Sequence, residues 1–150
     1  MSVQSRTNNI NKPFILSGDS LIRNNETILQ DAGRTAVLAP FTVMAKVAAS
    51  QKWVPFTDET AVDGGAIPQG IYLGPEIAAA DLVAGDVIAP TILIGDGIID
   101  EAQLILDEGA TTLDTVITVG TTDLRTVKDH LANRGIFVEE TVAISSPENA

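Results

Sequence analysis

Between residues 36 and 74 the chain alternates short β-forming runs with polar or glycine-rich breaks, and the rest is arranged around this stretch. Residues 42–47 and 52–57 are rich in β-formers, and the polar Ser50-Gln51 pair divides them, which predicts a β-hairpin. Asp63-Gly64-Gly65 supplies the backbone freedom of a tight turn, and Pro68 fixes φ just before a third strand at 70–74. The only tryptophan, Trp53, and the only tyrosine, Tyr72, both lie in this unit. Each can bury roughly 150–250 Å², so both are expected in the core.

Beyond the hairpin, the alanines of 75–86 permit one or two helical turns, stopped by Gly85. Residues 87–94 are β-rich but contain Pro90, which cannot donate to a ladder and belongs at an edge or bulge. Gly95-Asp96-Gly97 turns the chain into a strand at 98–106, Asp107-Glu108-Gly109 turns it again, and 113–119 follows as a strand. Thr121 or Thr122 can cap a helix whose Leu124, Val127 and Leu131 share one face, with Gly135 ending it. A closing strand at 136–144 and a polar tail at 146–150 complete the chain. The expected fold is mainly β with one or two short helices, over residues 35–145.

Residues 1–34 have a different texture. They are polar and aperiodic apart from the apolar islands Phe14-Ile15-Leu16 and Leu21-Ile22. Such a segment buries too little to offset ~1–2 kcal/mol of backbone entropy per ordered residue. It reads either as a frayed terminus or as an extended flexible arm that orders on a partner.

Composition mainly excludes. A length of 150 residues suits one domain, and no apolar run approaches the ~20 residues needed to span a bilayer. The start shows no charged region followed by an apolar core, so no secretory signal is expected. Zero cysteines exclude disulfides and thiolate chemistry. A net charge of −11 with scattered basic residues argues against a nucleic-acid partner. No membrane partner, metal or cofactor is expected either.

Candidate chemistry is sparse. Gly18-Asp19-Ser20-Leu21 resembles the nucleophile block of GDSL esterases, with Ser20 as nucleophile. That family needs a histidine base three residues after an aspartate, but Val127 stands three before His130, the single histidine. A serine without its base lacks the group that activates it. His130 reads as a solvated or capping residue, since no second histidine exists to share a metal. Gly95-Asp96-Gly97 begins like a dinucleotide fingerprint, but Asp100 occupies the third glycine position and a plain turn is favoured. Asp96, Asp100, Glu101, Asp107 and Glu108 lack calcium-loop spacing and read as a solvated acidic face.

The middle of the chain carries, in order, an Ala39-Pro40 lead-in, the strand Thr42-Val43-Met44-Ala45, and Lys52-Trp53-Val54-Pro55-Phe56. It continues through Asp58, Gly65-Ala66-Ile67-Pro68-Gln69-Gly70-Ile71, the segment 79–87, and the ending Thr141-Val142-Ala143-Ile144-Ser145. In this order the blocks resemble the head decoration proteins of tailed bacteriophages, the lambda-type capsid-stabilising family. The resemblance implies a β-clip or β-tulip domain with no catalytic residues. It implies a virion protein, made in the host cytoplasm, that binds the exterior of the expanded head as homotrimers at three-fold and quasi-three-fold positions. There it would cement the major capsid protein lattice against DNA pressure. The lattice-contacting role would fall to the N-terminal arm, whose apolar residues Pro13, Phe14, Ile15, Leu21 and Ile22 are the expected anchors. The alternatives are another virion or secreted β-rich binding protein and, behind it, a GDSL-type esterase.

Overall fold

The apolar run at 43–45 is buried without alternation because it faces two cores at once. Val43 and Ala45 join Ile71 and Leu93 on one side of a sheet, while Met44 joins Tyr72, Ile92 and Trp53 on the other. Side chains of successive strand residues point to opposite faces, so a strand covered on both sides loses its polar positions. This is a computed structural model that describes residues 21–57, 63–88, 90–107, 112–118 and 124–139.

The sheet has seven strands, β1 (Leu21–Arg23), β2 (Thr27–Ile28), β3 (Val43–Lys46), β4 (Trp53–Pro55), β5 (Pro68–Tyr72), β6 (Val87–Ile88) and β7 (Ile92–Gly95). Their spatial order is β1-β7-β5-β3-β4-β2-β6, and all neighbours are antiparallel except β2 and β4. The predicted hairpin is β3–β4, with Ala45 opposite Val54 and Lys46 opposite Trp53. Gln51, at φ 60°, turns it, donating to the Val47 carbonyl at 2.8 Å. Gly64 has φ 104°, and a Cβ there would lie 2.5 Å from the Lys46 carbonyl oxygen, so only glycine fits this corner.

The strand order requires the sheet to curl. β1 and β2 are five strand positions apart, about 24 Å in a flat sheet at ordinary strand spacing. Only residues 24–26 connect them, and the four steps from Arg23 to Thr27 reach about 14 Å at full extension. The two ends of the sheet therefore approach each other around the Trp53–Tyr72 face.

On that face, Leu82 of α1 (Ala79–Ala84) closes over Ile28, Leu38 and Ile77. On the other face lie Ile99 of β8 (Gly97–Asp100) and Ile117 of β9 (Val116–Ile117), with Val127 and Leu131 of α2 (Val127–Asn133). Ile136 and Val138 of β11 (Ile136–Glu139) complete it. β11 runs parallel to β8, and β9 pairs with β10 (Arg125–Thr126). The protein is mainly β with two short α-helices among the described residues. No helix among them is long and apolar enough to cross a membrane.

Several expectations shift. Residues 21–34, expected within the extended arm, are built into the fold: β1 and β2 join the sheet, β2 between β4 and β6, and both Ile28 and Arg34 are buried. Their partners come from distant sequence, which local polarity does not reveal. The strand expected at 98–106 ends at Asp100, whose carboxylate accepts from the Ala102 amide and starts a 3-10 turn over Glu101–Gln103. Pro90 lies between β6 and β7 rather than within one strand. The helix is capped by Thr126, not by Thr121 or Thr122, which lie outside the described residues. Leu124 is 77% exposed ahead of it, off the buried helical face. Gly135 does end that helix, at φ 85°.

Candidate interaction surface

β1 forms one edge of the seven-stranded sheet. β1 pairs with β7 alone among the described residues, Ile22 opposite Leu93 and Arg23 opposite Ile92, with an irregular register at Leu21. All three β1 residues are exposed, Leu21 at 50% and Ile22 at 41%. Of the five expected anchors, these two sit on the sheet's outer edge, displaying apolar side chains to solvent. Pro13, Phe14 and Ile15 lie outside the described residues, as does Ser20 of the esterase-like block.

Immediately after β1 the chain is fixed by a polar cluster. The Glu26 carboxylate accepts from the Trp53 indole Nε1–H at 2.8 Å and lies 3.2 Å from Lys46 Nζ. The Lys46 ammonium also stands 5.1 Å from the centre of the Trp53 ring. The indole donor, together with Lys46 and Arg23, lowers the Glu26 pKa below its ordinary value although partial burial opposes this. Trp53 is buried and reaches across to Gly70, where a Cβ would come within 3.0 Å of the indole. Tyr72, on the same face, donates to the Pro75 carbonyl at 2.5 Å, and burial raises its pKa.

A groove of about 570 Å³ lies near residues 29–34, lined by Gln30, Arg34, Thr57, Asp63 and Asp107 among others. Its charged floor is structural. Arg34 donates to both carboxylate oxygens of Asp107 and to the carbonyls of Ala36, at 2.7 Å, and Val37, at 3.0 Å. Asp63 accepts from the Gly65 amide at 2.9 Å within its own turn. These contacts leave the groove's charged side chains committed to the fold.

Asp107 thus belongs to a buried ion pair and not to a solvated acidic face, because Arg34, 73 residues earlier in the chain, reaches it. His130 is buried in α2 at 9% exposure rather than solvated. Its place in the helix puts it beside Leu131, which faces the core. No group of three or more histidine, cysteine or acidic side chains among the described residues could hold a metal ion. Sequence reasoning missed Glu26 and Arg34, since neither belongs to a local motif. It also passed over Thr126, whose spacing to Asp129 is that of a capping box and could have been read. No protein-family model and no curated protein matches the chain.

Proposed function

We propose that this protein is a capsid decoration subunit that binds the exterior of an expanded phage head and cements it, without catalysing a reaction. The observation that carries the reading is the order of sequence blocks shared with the decoration family: Thr42–Ala45, Lys52–Phe56 and Gly65–Ile71. Supporting it, these blocks supply β3, β4 and β5, the centre of the sheet. An edge strand, β1, also exposes the apolar side chains of Leu21 and Ile22.

In this reading the subunits act as homotrimers at three-fold and quasi-three-fold positions, and their partner is the major capsid protein lattice. Multivalency provides the strength, because each later contact forms at high effective concentration. A protein that binds only the expanded shell stabilises it by linkage. The interface needed is modest, about 800 Å² per partner. Leu21 and Ile22, with Pro13, Phe14 and Ile15, supply its apolar contacts.

The test is co-sedimentation with cognate capsids lacking the protein, prepared unexpanded and expanded. Saturable binding to expanded shells alone, near three copies per three-fold position, is the expected outcome. Equal binding to both shells, or to neither, rejects the cementing role.

A further inference from the structure

We propose that Glu26 is an acid-operated latch on the N-terminal strand: protonating its carboxylate releases β1 from the sheet edge while the remaining strands stay folded. The inference rests on a graded series of attachments along eight residues. β1 is entirely exposed and carries an irregular register, which marks a strand of low local stability. Ile28, at 0% exposure and paired with both Trp53 and Val87, is a firm anchor. Glu26 lies between the two, in residues 24–26, which link β1 at one edge of the sheet to β2 near the other. Whatever loosens Glu26 therefore acts on β1 and stops at Ile28.

The groups facing Glu26 are Lys46 from β3, Trp53 from β4 and Arg23 from β1 itself. Two of the three are cations, and the Glu26 side chain is only 15% exposed. A neutral Glu26 keeps an acceptor for the indole but loses its attraction to Lys46 and Arg23. Because the Glu26 pKa is lowered in the folded protein, the charged latch is fully present above the ordinary carboxylate value of 4.5. It is lost as pH falls below that value through the depressed one. A second carboxylate, Asp86, titrates in the same direction through Lys52 and the Gln30 amide. It holds the far side of the anchor, at β6, so a variant at constant pH is needed to separate the two.

The experiment is amide hydrogen exchange by NMR on the full chain at pH 7, comparing wild type with Glu26→Gln, which mimics the protonated acid. The expected result is at least tenfold faster exchange for the residue 21–23 amides that pair with β7, with β3 and β5 amides within twofold of wild type. A wild-type titration from pH 7 to 3 supplies the second readout, through the single indole N–H resonance of Trp53. That resonance and the β1 amides should shift together, with a midpoint below 4.5, before β3 and β5 change. Unchanged β1 protection in Glu26→Gln, or loss of β1 protection only together with β3 and β5, overturns the latch. If Glu26→Gln does not fold, β1 amides that stay fixed while the indole titrates overturn it equally.

Discussion

An arginine withdrawn from water keeps its charge, so the burial of Arg34 fixes what must stand opposite it. Its side chain is 2% exposed and that of Asp107 7%, and the guanidinium meets the carboxylate through two parallel hydrogen bonds. Both charges lost their hydration on folding, so the pair can be nearly neutral in net stability while either half alone is costly. Asp107→Ala should therefore destabilise the protein by about 3–5 kcal/mol, read as a lowered urea midpoint at unchanged slope. A loss under about 1 kcal/mol would mean that the Ala36 and Val37 carbonyls alone satisfy the guanidinium. Glu26 differs in kind: it is near the surface, and its effect is local to the strand beside it.

At the scale of elements, α2 shows how a seven-residue helix persists when length alone would leave it marginal. Thr126 accepts from the Asp129 amide at 3.1 Å, and the Asp129 carboxylate accepts from the Thr126 amide at 3.2 Å. Val127 and Leu131 then bury its inner face. Thr126→Ala should cost about 1 kcal/mol, measured as a thermal shift of several degrees. The helix and the β3–β4–β5 unit were legible because their signals are local: periodicity, turn residues and a glycine stop. β1 and β2 were not, because two- and three-residue strands carry too little pattern and acquire their state from Gly95, Leu93, Trp53 and Val87. The same reasoning sets where the chain can be shortened. Removing residues 1–20 should leave a cooperative thermal transition in place, whereas removing 1–34 deletes Ile28 and Arg34 and should abolish it. A truncation at 34 that melts cooperatively would show that β2 is dispensable.

For the whole molecule, charge and topology point in complementary directions. A net charge of −11 opposes close approach of like copies, so the proposed assembly would have to be organised by specific apolar contacts, for which Leu21 and Ile22 are exposed. The curled sheet provides a rigid base for them, with two cores on either side of β3, β5 and β7. That curl also dictates when β1 can join the sheet. β1 pairs only with β7 (Ile92–Gly95) among the described residues, so it has no sheet to join until about seventy residues after it have been synthesised, whereas β2 can pair with β4 sooner. Such long-range closure slows folding relative to local contacts. On the ribosome, the β3–β4 hairpin can form early, but β1 must wait for β7. Leu21 and Ile22, proposed above for capsid contact, therefore stay unclaimed by the sheet long after they are made.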